Sequence, residues 1–363
     1  MAETAIPSGL TVQQWDSRYF TEYLNSNFFK QYMGTGSGSM IQVKEDLTKK
    51  PGDSVTFTLV NRLTGAAKGE NDTLEGAEED VDLRSHIVTV REYSHAVKFS
   101  KFEAQKTAIQ LRQAHRDVLM DWNMELDRDN IISALGSING VAYASASEAA
   151  KDAWLADNAD RVLFGAAKSN NSGNDHSASL ANVDASNDKL TASAVTLMKR
   201  MAKQANPKIR PIKPKGKISG SDSYILFAPT EMVRDLAADT TFVSANREAR
   251  QRGLSNPLFS GADYVYENVY IYEIEDIPSL GAVGDSSAVV RPCYLCGAQA
   301  LGMAWAMRPQ TVEEEFDYKR KTGLAIKQWY KVEKMRFGAG LDDTDDPKDH
   351  GVLTGYFAAA ADA

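Results

Sequence analysis

The chain is predicted to have an α+β fold, because helical and extended segments follow one another without regular alternation. Over residues 54–60, successive side chains fall on two faces with the period of two that strands show. Residues 102–135 repeat apolar side chains at helical spacing and contain neither Gly nor Pro. Several further extended segments are predicted after residue 264. A regular alternation of strand and helix is therefore not expected.

Length and composition limit the class of protein. The 363 residues suffice for roughly two domains, and 43% hydrophobic with 25% charged residues is ordinary for a folded chain. A net charge of −8 argues against nucleic-acid binding through the overall field. No apolar run is long enough to cross a bilayer, so no membrane contact is predicted. The first ten residues lack a signal-peptide pattern, which predicts synthesis in the cytoplasm.

An N-terminal arm is predicted over residues 1–50. Aromatic residues recur there at near-helical spacing until a Gly-rich stretch at 34–39. That stretch matches neither a dinucleotide fingerprint nor a phosphate loop, so it is interpreted as a flexible joint. The arm's aromatics have no obvious local partner and are predicted to contact another subunit. The candidates are Trp15, Tyr19, Phe28 and Phe29.

Residues 51–101 are predicted to form an extended β-hairpin loop. Strand-forming residues at 54–60 and 86–99 flank a polar tip at 64–82. An isolated two-stranded ribbon is marginal in water, so this one is expected to lie on another surface. The tip carries one base, Lys68, and seven acids, namely Glu70, Asp72, Glu75, Glu78, Glu79, Asp80 and Asp82.

One long spine helix is predicted over residues 102–136, spanning roughly 50 Å. It carries two roughly opposite apolar stripes. Each stripe is expected to be buried against a packing surface, or cover, which the same chain or a neighbouring subunit provides. Ordinary core packing in a helical enzyme is the alternative that this segment leaves open. One stripe comprises Ala108, Leu111, Ala114, Val118, Leu119, Trp122 and Leu126, and the other Ile109, Met120, Met124, Ile131 and Leu135.

The rest of the chain mixes helices and strands. Helices are predicted near 148–155, over 192–204 and from an N-cap at Thr230 through 236, and strands over 223–229, 264–266, 269–274, 294–307, 311–316 and 323–337. A dense basic run lies at Lys208, Arg210, Lys213, Lys215 and Lys217. Such a run is most often a solvated loop, and the alternatives are contact with DNA phosphates or with another subunit.

No catalytic, cofactor or metal site is predicted. The five histidines form no metal-binding motif, and His86, His95, His176 and His350 are expected at the surface or in strands. Cys293 and Cys296 have redox spacing but stand in an apolar run without a second pair, which favours buried structural residues. A soluble enzyme that uses these thiols is the rival of a different class.

Several motifs, taken in order, resemble those of tailed-phage major capsid proteins of the N-four type, which have the Hong Kong 97-like fold. They are NRLTG at 61–65, TLEGAEE at 73–79, QKT at 105–107, LR at 111–112, Trp122, Asp127, AL at 134–135, NPLFSG at 256–261, GAQALG at 297–302 and FDY at 316–318. The resemblance covers residues from about 53 to 351 and implies a structural protein without cofactors.

The resemblance implies a peripheral domain with the spine helix and the strands of 307–340, an axial domain over 137–306 and a C-terminal tail over 341–363. It implies self-assembly into pentamers and hexamers that enclose double-stranded DNA as the capsid of a virion. Portal, scaffold and decoration proteins are the implied partners. Residues 165–190 are interpreted as an insertion, and an encapsulin-like nanocompartment shell is the alternative. The acidic tip is predicted to lie on a neighbour's Lys319, Arg320 and Lys321.

Overall fold

The computed structural model describes residues 28–48, 52–63, 65–70, 73–76, 78–107, 110–212, 222–250, 264–340 and 342–362. These residues divide between two compact units. The first unit contains Arg91–Arg128 and Ala306–Tyr330, and the second contains Phe29–Val90, Asp129–Trp305 and Lys331–Ala363. No helix within the described ranges combines the length and the apolar character needed to cross a membrane.

The described helices are α1 Lys101–Lys106, α2 Leu111–Leu135, α3 Glu148–Asp157, α4 His176–Ala181, α5 Ala192–Gln204, α6 Thr230–Ala238 and α7 Thr240–Arg250. The described strands are β1 Met33–Gly34, β2 Ile41–Lys44, β3 Ser54–Val60, β4 Leu83–Thr89, β5 Arg91–Ser100, β6 Val162–Phe164, β7 Tyr224–Ala228, β8 Tyr264–Tyr266, β9 Val269–Glu273, β10 Gly281–Ala282, β11 Val289–Cys296, β12 Leu301–Phe316, β13 Lys321–Lys334, β14 Arg336–Gly338, β15 Pro347–Asp349 and β16 Val352–Ala358.

In the first unit, β5 pairs antiparallel with β13 from Ser100 opposite Lys321 to Arg91 opposite Tyr330. One face of α2 covers this pair, because Leu119 is buried with Leu324 and Ile326. On the other stripe, Met120 and Met124 remain exposed, as does Val118 of the first stripe. The chain itself therefore supplies one of the two predicted covers for this part of the helix.

The second unit is built on a sheet with the order β6-β16-β11-β7-β9-β8, and β10 pairs with β11. Successive side chains of a strand point to opposite faces, and β16 shows this alternation. Leu353 and Phe357 belong to the core that includes α5 and α6, whereas Tyr356 and Ala358 belong to the core that includes α3 and α4. Both faces of this sheet are thus covered, which explains why every residue of β16 is buried.

The structure differs from the single spine helix predicted over 102–136. The helix α1 is capped by the Ser100 hydroxyl, contains no buried residue and ends at Thr107, whose φ of −104° and ψ of 146° are extended. A short helix without a buried face gains little from packing, and a β-branched residue such as Thr107 favours extended backbone. The helix α2 begins only at Leu111.

Two smaller predictions also need correction. Thr230 is the first residue of α6, and the N-cap is Pro229, which makes no side-chain capping bond. The segment predicted as a C-terminal tail contains β16, which pairs antiparallel with β11 and parallel with β6. By contrast, helices near 148–155 and over 192–204 were predicted from local spacing and are observed as α3 and α5.

Candidate assembly surfaces

The inner face of the β3–β4 ribbon packs against the rest of the second unit, to which the ribbon belongs. The two strands pair from Ser54 opposite Thr89 to Val60 opposite Leu83. Val55, Phe57 and Val88 are buried in one cluster with the side chains of Ala304, Met335 and Phe337. The ribbon was expected to need another surface, and the body of the same chain provides one for its inner face.

Hydrogen bonds from β4 fasten the ribbon at its edge. The backbone N–H and the hydroxyl of Ser85 donate to the Asp343 carboxylate over 2.9 and 2.5 Å, respectively. These two bonds hold the pKa of Asp343 below its usual range. The Arg84 guanidinium donates to the Gly340 carbonyl over 2.7 Å and lies 3.0 Å from the Asp82 carboxylate.

The outer part of the ribbon exposes large apolar side chains. Six of them, on the strands and the connecting loop, are each more than half exposed: Val60, Leu63, Leu74, Val81, Leu83 and Ile87. Single exposed apolar residues are ordinary, but a group of six on one hairpin is typical of a surface that another molecule covers.

The acidic tip is exposed along its described length. Glu70, Glu75, Glu78 and Asp80 are exposed, and so is Glu79, whose carboxylate accepts from the backbone N–H of Gly65 over 2.6 Å. Asp72 lies outside the described residues. The tip therefore presents a concentration of negative charge at the end of the ribbon.

The predicted basic patch is a tight turn between β12 and β13. Asp317, Tyr318 and Lys319 have φ values of 54°, 50° and 67°, a left-handed conformation that side chains other than glycine adopt at a cost. The turn is closed by the Arg320 N–H, which donates to the Asp317 carbonyl over 3.0 Å. Tyr318 stands fully exposed at its apex. The sequence predicted a charged turn here with Lys319, Arg320 and Lys321 as contacts, but no signal in it selected Tyr318.

The cations of this turn are only loosely paired within the chain. Arg320 and Lys321 each lie 3.7 Å from one carboxylate, that of Asp317. Lys319 lies 3.8 Å from Glu315, which Lys101 already contacts at 2.5 Å. The hydrogen bond from Lys101 lowers the pKa of Glu315.

The basic run near residue 210 begins on an anchored segment. Lys208 and Arg210 are exposed, but Ile209 between them is buried. The Arg210 carbonyl accepts from the Ala298 N–H over 2.7 Å. Lys213, Lys215 and Lys217 lie outside the described residues.

The arm's aromatic candidates have different outcomes. Trp15, Tyr19 and the side chain of Phe28 lie outside the described residues. Phe29 is completely buried and meets the Phe227 ring edge-on at 5.1 Å. This contact within the chain corrects the prediction that Phe29 faces a neighbouring subunit, because its side chain is already covered.

Cys293 and Cys296 are fully buried in β11. Desolvation raises the pKa of both thiols, which disfavours the thiolate needed for nucleophilic attack. A cavity of about 510 Å³ in the second unit is lined by phenols such as Tyr143 and Tyr294. Burial also raises the pKa of these two phenols, so they stay neutral. Neither place provides an activated nucleophile.

Comparisons with known proteins agree with this geometry. The model of the phage capsid protein family matches residues 3–361. The chain is 26% identical to the major capsid protein of Pseudomonas phage KPP25, over 95% of this chain and 94% of that protein. It superposes on a chain of the cyanophage Pam1 capsid asymmetric unit with a TM-score of 0.87 and 32% identity, over 100% of both chains. The capsid of Ralstonia phage GP4 gives a TM-score of 0.78 at 21% identity, again over 100% of both chains, which shows a shared fold.

Proposed function

Because the chain belongs to the phage capsid protein family, we propose that its copies assemble into pentamers and hexamers that close an icosahedral shell around a double-stranded DNA genome. The family and the matching capsids identify a structural, shell-forming protein of the Hong Kong 97-like fold, not an enzyme. The observation that carries the assembly proposal is the ribbon, which is attached by one face and leaves six large apolar side chains exposed on its outer part.

Assembly would cover these side chains with a second copy of the chain. Obligate interfaces bury roughly 2,000–5,000 Å² and are apolar at their centres. The exposed outer part of the ribbon and the uncovered Met120 and Met124 of α2 offer apolar surface of that kind. Contacts repeated head to tail about a closing rotation give rings, and rings joined at their rims give a shell.

We further assign the acidic tip to the basic turn of a neighbouring subunit. The tip has exposed carboxylates, and Lys319 and Arg320 have side chains that are 79% and 78% exposed. Among the described residues, the carboxylates that pair with these three cations lie 3.7–3.8 Å from them. Exposed ion pairs contribute only about 0–1 kcal/mol each, so this contact would fix geometry more than affinity.

Reversing three tip acids, as E75K/E78K/D80K, is expected to impair shell formation while leaving the subunit folded. All three side chains are exposed, so the change should not disturb the core. Negative-stain microscopy gives the yield and size of shells, and circular dichroism with thermal melting checks the fold. The matched control neutralises the same positions, as E75Q/E78Q/D80N, and is expected to have a smaller effect.

A charge reversal of the basic turn tests whether this turn is the partner of the tip. If the tip contacts the basic turn, K319E/R320E/K321E should restore shells when combined with the tip reversal. Shells of normal yield and size from the tip reversal alone would remove this contact, and would leave the capsid function itself intact. Failure of the unaltered chain to form any closed shell would instead contradict the proposed function.

Packaged DNA is proposed to meet the shell interior through weak, non-specific contacts, for which the exposed Lys208 and Arg210 are candidates. Each phosphate contact releases counterions, so binding of capsomers to duplex DNA should weaken steeply as salt is raised. K208Q/R210Q should flatten that dependence, and capsomers that bind no DNA would remove this role. Synthesis in the bacterial cytoplasm and partnership with portal, scaffold and decoration proteins belong to the same proposal.

A further inference from the structure

Three carboxylates converge between the first turns of α3 and α4. Glu148 and Asp152 are one helical turn apart on α3 and therefore share a face. Asp175 is the N-cap of α4. One oxygen of each of the three residues lies within 4.8 Å of the other two. Like charges repel at this distance, and in the structure the Lys151 ammonium, 3.5 Å from the Glu148 carboxylate, offsets part of this repulsion.

The first residue of α4 provides an independent sign of a ligand. The His176 side chain is completely buried, and among the residues that the structure describes neither of its ring nitrogens has a hydrogen-bond partner. Its Nδ1 is 3.8 Å from the Glu148 Oε1, which is too long for a hydrogen bond. A buried polar group without a partner costs about 1–3 kcal/mol. Two ligand atoms on one tetrahedral zinc ion would be separated by about 3.4 Å, close to the distance seen here.

The surroundings fix the imidazole in place. The rings of Tyr143, Phe164 and Tyr356 have their centroids 5.4–5.8 Å from that of His176. The Nδ1 edge of the ring faces Glu148. The ring is therefore held before any ion binds, which is the arrangement that a metal ligand requires.

Hydrogen bonds also orient two of the carboxylates. The Asp152 Oδ1 accepts from the backbone N–H of His176 over 2.7 Å. The Asp175 Oδ1 accepts from the Ala178 N–H over 2.8 Å and from the Ser177 hydroxyl over 2.9 Å. These bonds use Oδ1 of each residue and leave Oδ2 of each to bind an ion. Outer hydrogen bonds of this type hold metal ligands in register.

We propose that Glu148, Asp152, Asp175 and His176 form a site for a divalent transition-metal ion, with Zn²⁺ as the best match. An imidazole nitrogen favours zinc over calcium or magnesium. The three carboxylates lie within 4.8 Å of one another without His176, so the tetrahedral set would form when the imidazole and the carboxylates close on the ion. The Lys151 ammonium lies 3.5 Å from the Glu148 carboxylate and is the charge that the ion would displace. The site would join α3 to α4 and so strengthen the second unit.

This site could not be read from the sequence. Asp152 and Asp175 are separated by a strand and a 3₁₀ turn, so no short motif contains all four residues. His176 was expected at the surface or in a strand, whereas the structure buries it at the start of a helix.

The test is calorimetric titration of the purified full-length chain with Zn²⁺, with parallel titrations of Ca²⁺ and Mg²⁺. We expect about one zinc ion per chain, weaker binding of the other two ions, and an affinity for zinc at least about tenfold lower in E148Q. Glu148 is partly exposed and can be changed without opening the core. The matched control is E103Q, since Glu103 also lies in the first turn of a helix and pairs with a lysine three residues on.

Further variants separate a ligand from a structural residue. H176N should also lose zinc affinity, and K151Q should gain it, because the competing ammonium is removed. The absence of zinc binding by the unaltered chain would overturn the proposal. Equal affinities in E148Q and E103Q, or tighter binding of calcium than of zinc, would overturn it as well.

Discussion

Replacing Asp349 with alanine is expected to lower the free energy of unfolding by about 3–5 kcal/mol, because it would leave a buried lysine without its counter-charge. The Lys334 ammonium lies 2.8 Å from the Asp349 carboxylate, and both side chains are only 4% exposed. The Trp154 indole N–H donates to the same carboxylate oxygen over 3.1 Å. D349A would therefore remove both the charge and the hydrogen bond in a place where water cannot replace them.

Urea unfolding of the unassembled chain measures this effect. The control is E103Q, which breaks an exposed pair with Lys106 and should change stability by less than about 1 kcal/mol. The double variant K334M/D349L should recover much of the loss, because apolar side chains can replace a buried ion pair with little cost. A loss below about 1 kcal/mol in D349A would show that Lys334 is not confined as the structure has it.

The sequence predicted those elements whose signals are local. The helix α5 was predicted over 192–204 and lies there, and the structure adds that the Thr191 hydroxyl caps its start by accepting from the Ala194 N–H. The strand β7 is buried over its whole length, and its continuous apolar run predicted this. The pattern that predicts each of these two segments lies within about a dozen neighbouring residues, so it can be recognised in a single sequence.

Elements set by distant contacts could not be predicted in the same way. The strand β16 follows an acidic stretch and contains Thr354 and Gly355, so its segment resembles a tail. Its burial comes from β11 and β6, which precede it by many residues. The interruption before α2 carries neither Gly nor Pro, and therefore no breaker signal. The exposure of the tip could be predicted from its charge. A segment so rich in carboxylates is expected in contact with water, and the described tip acids are exposed.

The ribbon provides the second large effect, since its two faces should respond differently to truncation. Phe57 is 1% exposed and packs in the cluster with Met335 and Phe337. Its ring is so close to Gly302 that a Cβ added there would lie 3.1 Å from it. F57A should thus cost about 3–5 kcal/mol, through lost burial and the cavity left behind. Hydrogen exchange should accelerate at the amides of β3 and β4 first, because these strands rely on this cluster.

The matched control for Phe57 is Ile87, which lies on β4 of the same ribbon, one residue beyond the position that pairs with Phe57, and is 57% exposed. I87A should change the stability of the unassembled chain by no more than about 0.5 kcal/mol. If a second copy covers this surface, I87A should nevertheless lower the yield of shells seen by microscopy. Equal destabilisation of the unassembled chain by the two variants would contradict the assignment of an inner and an outer face. If the inner face serves folding and the outer face serves assembly, F57A should lower the stability of the unassembled chain, whereas I87A should lower only the yield of shells.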